Sequence, residues 1–413
     1  MFQTLMRKAN EFSRLLIVRV LLIAVLSFLS VAIAYVFSPL IPDGMHGLIG
    51  AAAVDRILSV IANSMLTVTT FSLAVMAATH RSVSGMWTPR AHQIMLQDTT
   101  THTVLATFIG AYLYALNAIV LRETDVFRED NLVVLFGMTL LVAAMIIVAI
   151  IRWVRHLEMF GSLIQTAQRI EDQTAEAWDL RMRRPRLGCQ SLATAVLPDQ
   201  VYEVYAPRSG YVQQVYQEML ENAAKEANAH IWIDVQIGAF YPKGRVIAQT
   251  DRADPDLHDI IARQIAIGSL RNYPQDPAFG LLNLSEIASR ALSPGVNDPG
   301  TAIDCIQRMA RVMHDTQPYE IEPSRFQRLF MADFDAGGTL NRIFGPVLRD
   351  SLDAVEVTDA LQDALCSLAT HQHAGLAAAA AELGGKLRAG LAPDVPPVSA
   401  VSAPNPTAAP STP

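Results

Sequence analysis

Apolar residues fill most of the first 151 positions in four runs, roughly Leu15–Phe37, Ile57–Thr79, Thr103–Leu121 and Leu132–Ile151. Each is close to the ~20 residues a helix needs to cross a hydrocarbon core, and a helix pairs its own backbone there while a lone strand does not. Pro39, Pro42 and Gly44 break the chain after the first run, and Pro89 lies between the second and third. The charged stretch from Arg122 to Asp130 separates the third from the fourth. The pattern predicts four transmembrane helices within residues 1–151.

Beyond Arg152 the pattern becomes that of a chain in water. A helix is expected from Arg152 to about Leu180. Along it Phe160, Ala167 and Thr174 recur every seven residues, as do Leu163, Ile170 and Ala177. Such a seam packs either on a second copy or on the protein's own domain. Arg181, Arg183, Arg184 and Arg186 around Pro185 then read as a basic linker, solvated or touching anionic headgroups, so residues 152–187 are assigned as projecting helix and linker.

Residues 188–255 read as a small β-rich module, with strands at Val201–Tyr205, Tyr211–Val215, Ile231–Ile237 and Arg245–Gln249 and a helix at about Gln217–Asn228. Residues 256–390 read as a helical subdomain, with helices near Asp256–Ser269, Ala278–Leu292, Pro299–His314, Thr339–Leu352 and Asp359–Leu387. Residues 391–413 are a Pro/Ala tail predicted to be disordered. The expected fold is therefore a membrane α-helical domain of four transmembrane helices plus a cytoplasmic α+β domain.

Composition agrees with a lipid-facing part: 51% of the 413 residues are hydrophobic and 17% charged, against about a quarter charged in an ordinary globular chain. A formal net charge of −7 argues against a nucleic-acid binder. Cys189, Cys305 and Cys366 are too few and scattered for a disulfide framework or zinc site. Eight basic residues flank one side of the spans (Arg7, Lys8, Arg14, Arg81, Arg90, Arg152, Arg155, Arg169) and three the other (Arg56, Arg122, Arg128). The asymmetry predicts a multi-pass protein of the bacterial inner membrane with both termini cytoplasmic. A stretch ending Ala32-Ile33-Ala34 imitates a signal-peptide cleavage site, but Tyr35-Val36-Phe37 carries the apolar run onward.

The spans hold no deep Asp or Glu, which argues against an ion-coupled transporter. Asn63, Thr67, Thr70 and Ala74 share one face of the second span, and Thr107 and Asn117 lie in the third. These polar groups suit either a hydrated pore lining or packing between helices. The segment Ser293-Pro294-Gly295-Val296-Asn297-Asp298-Pro299 reads as a helix end, a tight turn and a new helix capped by Asp298 with Pro299 at its first position. It is either a structural corner or a set of free N–H groups for an anion. No phosphate loop, dinucleotide fingerprint, metalloprotease helix or nucleophile elbow is present, so no catalytic residue, cofactor or metal is expected.

Several blocks carry a resemblance. Thr88-Pro89-Arg90, the segment from Asp98 to Tyr114, Ser209-Gly210-Tyr211-Val212, Gln275-Asp276-Pro277-Ala278-Phe279-Gly280 and the run from Ala291 to Ala302 occur in that order. Together they resemble domain-of-unknown-function family 2254 of predicted bacterial membrane proteins. Many members have serine where this chain has Thr88. The resemblance implies a multi-span membrane protein with a soluble domain and brings no activity with it. Two functions are expected: an oligomeric, channel-like protein in the lipid bilayer, or a membrane-anchored regulatory or scaffold protein whose cytoplasmic domain binds a protein partner. A third, an enzyme acting on lipid or a cytoplasmic substrate, has no recognisable nucleophile, base and oxyanion arrangement behind it.

Overall fold

In the computed structural model, residues 16–37, 51–86, 99–124, 132–159, 163–316 and 319–390 are described. The expected tail at 391–413 lies outside them. The chain divides into two compact units, Met1–Thr166 and Ala167–Pro413.

The first unit holds four helices: α1 (Leu16–Phe37), α2 (Ala51–Met86), α3 (Thr99–Glu123) and α4 (Leu132–Met159). Three of the four expected spans, at Ala52–Thr79, Thr100–Glu123 and Leu132–Leu157, are helices long and apolar enough to cross a membrane. The first run is helical as α1, but it is not among the three. On α2 the residues buried against α3 and α4 are Val54, Leu58, Ile61 and Met65, spaced at the alternating four and three of a packed helix seam. Thr69 and Ser72 continue that buried stripe. On α3, Gly110 lets α1 approach: a Cβ there would fall 2.6 Å from the Cβ of Ile23.

The second unit begins within α5 (Leu163–Arg183). The helix expected over 152–180 is therefore described as the end of α4 and the separate α5, with 160–162 outside the described residues. Eight strands follow among the described residues: β1 (Gln190–Ser191), β2 (Tyr202–Tyr205), β3 (Gly210–Val215), β4 (Ile231–Ile233), β5 (Phe240–Tyr241), β6 (Val246–Thr250), β7 (Ile265–Gly268) and β8 (Leu329–Met331). Interleaved are helices α6 (Gln217–Glu226), α7 (Pro255–Gln264), α8 (Pro277–Ala291), α9 (Pro299–His314), α10 (Ala336–Ser351), α11 (Val355–Leu368) and α12 (Ala374–Arg388).

One sheet has the order β1-β8-β4-β6-β2 and the other β5-β3-β7. In the first, β1, β8 and β4 are mutually parallel, β6 is antiparallel to β4, and β2 is antiparallel to β6. The β region thus reaches beyond residue 255. The helix expected through Ser269 stops at Gln264, where Ile265 and Ile267 turn inward at period two and pair with β3. β8 is three residues inside a stretch read as helical, too short to show a period of its own, and its partner β4 is about a hundred residues away in sequence. Likewise the single helix expected over 359–387 is α11 and α12, separated by a turn at His371 and capped by His373.

Candidate functional site

Because β4 and β8 are parallel, the chain leaves both at the same edge of the sheet, as Asp234–Ile237 and as Ala332–Asp335. Crevices at the carboxyl ends of parallel strands are common ligand sites. Here the edge opens into a cleft of about 500 Å³. Helices α8 and α10 both begin on it. Asp276 caps α8, accepting from the Phe279 N–H, and Asp335 caps α10, accepting from the Gly338 N–H at 2.7 Å. The side chain of Gln275 extends strand β3, accepting from the Val215 N–H at 3.0 Å and donating to its carbonyl at 3.1 Å. That pairing fixes where α8 starts. Gly238, at φ +82°, closes over the same carboxylate; a Cβ there would stand 2.3 Å from Asp276 Oδ2.

The fourth wall is the last turn of α5, which brings in Arg181. Only 5% of Arg181 is exposed. Its Nε and Nη1 are buried with no hydrogen-bond partner, and its guanidinium lies over the Phe334 ring at 5.0 Å. Burial lowers its pKa to about 10, with the carboxylates of Asp276 and Asp333 opposing at a distance. Two further arginines line the cleft: Arg245, over the Tyr241 ring at 5.4 Å, and Arg342, which donates to Thr339 Oγ1 at 3.1 Å. Asp276 is held at both oxygens by Arg271, at 2.7 and 2.8 Å. Burial pushes its carboxyl up and Arg271 pulls it back. Asp333 pairs with Arg186 at 3.2 Å.

α5 is anchored so that Arg181 stays in place. Ala167, Ile170, Thr174 and Ala177, the seven-residue seam seen in sequence, are all buried in the second unit. Thr174 rests on Gly280 of α8, where any Cβ would collide with its hydroxyl. Buried Glu171 accepts from Arg308 at 2.5 Å and from Arg311 at 2.7 Å, tying α5 to α9.

The residues singled out in sequence lie elsewhere. Asn63, Thr67 and Thr70 are exposed on α2. Each stands two positions on from a buried residue (Ile61, Met65) or between two of them, and two positions turn a helix by about 200°, so this face points away from α3 and α4. Thr67 and Thr70 donate to the carbonyls of Asn63 and Leu66 on their own helix, and Thr107 does so to Thr103 on α3. Thr107 and Asn117 are half-buried. In the corner, Ser293 donates to the Arg290 carbonyl at 2.6 Å. Pro294, Gly295, Asn297 and Asp298 are exposed and Pro299 opens α9. Asp298 accepts from the Thr301 N–H at 3.1 Å and from its hydroxyl at 2.5 Å, so its own carboxylate fills the helix start.

Arg181 was hidden in the sequence within the basic run assigned as a linker. Its distinguishing signal is that it follows the α5 seam at helical spacing, four residues after Ala177. The helix near Ala278–Leu292 is expected from the sequence, but its cap at Asp276 is not, and nothing local connects Asp276 to Asp333 and Asp335.

A family model described as "Predicted membrane protein (DUF2254)" matches residues 13–367. The chain is similar to uncharacterized protein Rv1290c of Mycobacterium tuberculosis and to uncharacterized protein Mb1321c of Mycobacterium bovis, at 25% identity over 270 residues in each case. Those matches cover 62% of this chain and 51% of each relative, so the chain spans about half the length of the curated relatives it matches. No solved structure matches the chain.

Proposed function

Since the chain belongs to the DUF2254 family of predicted membrane proteins, we propose that it is a membrane-anchored binding protein whose second unit holds a small ligand in the cleft between β4, β8, α5, α8 and α10. On this reading the helices of the first unit anchor the protein in a bacterial inner membrane, and the basic flanks place both termini and the cleft on the cytoplasmic side. The observation that carries it is the cleft itself. About 500 Å³ suits a small molecule, and a buried guanidinium without a partner is costly unless something outside the chain completes it.

The test compares thermal unfolding of the detergent-purified full-length protein with that of Ala332→Trp, which places a large ring at an exposed position of the cleft wall. The probes are a panel of sugar phosphates, nucleotides, dicarboxylates, amino acids and polyamines. A compound that raises the wild-type midpoint by about 2 °C or more and leaves Ala332→Trp unmoved is the expected result. A panel without effect, or with equal effect on both proteins, overturns the reading.

A second reading, assembly of several copies around a polar path, is favoured by Asn63. Its amide stands near the middle of the span Ala52–Thr79, on the outward face, with no hydrogen bond among the described residues. In lipid such a group gains from a partner on another helix or from water. Two features weaken it: the threonine hydroxyls of that face are already used within their helix, and the α5 seam is covered by its own unit.

A further inference from the structure

We infer that the cleft binds a phosphate-bearing anion of more than one negative charge, with Arg181 as the buried group that reads it; this rests on the proposed binding role of the same cleft. Arg181, Arg245 and Arg342 line one cavity, and none of the three forms an ion pair with a carboxylate among the described residues. Elsewhere in the same unit arginine pairs readily, as Arg184, Arg271, Arg308 and Arg349 do. The cleft has therefore kept its guanidinium groups out of ion pairs while acids sit nearby.

Three of the four lining acids are committed to other work, and the fourth, Asp234, has no ion pair among the described residues and feels only the charge of Arg245. Asp276 is clamped by Arg271 and caps α8, Asp333 pairs with Arg186, and Asp335 caps α10. Counting Arg186 and Arg271 with the lining groups, guanidiniums outnumber carboxylates five to four. A divalent cation would have to displace these partners and face three arginines. A single carboxylate ligand would complete one guanidinium and leave two. Phosphoryl oxygens, arranged tetrahedrally around one or more phosphorus atoms, can accept from several forks at once. Arg181 has two buried donors without an acceptor, and its seat over Phe334 holds the plane of the fork in place.

The same physics gives Arg181 a signature that a structural arginine lacks. Its buried charge costs the empty fold stability, because burial lowers its pKa and no hydrogen bond compensates. Replacing it with methionine removes that cost and leaves Asp276 and Asp333 with their own arginine partners.

The experiment is calorimetric titration of inorganic pyrophosphate into the full-length protein in detergent, for wild type, Arg181→Met and Arg342→Met, alongside melting curves of the unliganded proteins. Expected are saturable binding to wild type, at least tenfold weaker binding to both variants, and an unliganded Arg181→Met that melts at the wild-type temperature or above. Short-chain phosphatidic acid serves as the lipid arm: a soluble phosphoester is the source if pyrophosphate binds more tightly, a lipid headgroup if phosphatidic acid does. No binding of either probe, or binding that Arg181→Met leaves unchanged, overturns the inference. If both fail while an uncharged or cationic compound stabilises wild type but not Ala332→Trp, the anion class falls and the cleft's binding role stands.

Discussion

Asp298 shows how one carboxylate can exhaust a site that looks open in sequence. The first turn of α9 leaves N–H groups without helical partners, and Asp298 satisfies one of them and binds the Thr301 hydroxyl as well. Those hydrogen bonds hold its carboxyl below the usual value of 3.8. A carboxyl with a lowered folded pKa contributes stability that is complete above the unfolded value and is lost as pH falls through the folded one. Asp298→Ala should cost about 1 kcal/mol, read as a drop of a few degrees in thermal unfolding at pH 7. Asp298→Asn keeps an acceptor that does not titrate, so its melting temperature should fall less than wild type's between pH 4 and lower pH. Equal acid sensitivity of the two would remove Asp298 from the account.

At the scale of elements, α5 carries the most information. Its polar sequence and heptad-like seam leave open whether it meets another copy or its own domain, and both would bury the same side chains. The partner is settled by residues over a hundred positions away: Gly280, which admits Thr174, and Arg308, which meets Glu171. Glu171→Ala would strand the buried Arg308 with Asp304 and Gln168 alone, and breaking one side of a buried pair costs about 3 kcal/mol. Arg311 is half exposed, so Arg311→Met should cost under about 1 kcal/mol. Chemical denaturation of the two variants checks the ranking, and near-equal losses would show that the network does not anchor α5. The strands tell a similar story. β2, β3, β4 and β6 were visible as β-branched and aromatic runs, whereas β7 and β8 took their form from the neighbours they pair with.

At the scale of the whole molecule, a lipid-embedded part and an α/β part follow from the change in hydrophobic pattern near residue 152, and the chain divides close to that point. The assembly reading belongs to this scale, since it concerns copies of the chain. If it holds, light scattering in detergent, with detergent mass subtracted, should give a defined multiple for wild type and a smaller mass for Asn63→Leu. A single-chain mass for wild type would end it.

The sequence by itself determined the apolar helices, the capped start of α9, the central strands and the absence of local catalytic signatures. These depend on periodicity and on contacts within a few residues, which composition and spacing encode directly. Tertiary structure alone decided which of four neighbouring arginines is buried, which face of α2 packs inward, and that Asp234, Asp276, Asp333 and Arg181 share one cleft. The burial of Arg181 and the shared cleft depend on parallel pairing of β4 with β8 and on the docking of α5, and the inward face of α2 on its packing against α3 and α4; these contacts join residues far apart in the chain and leave no mark on the local pattern.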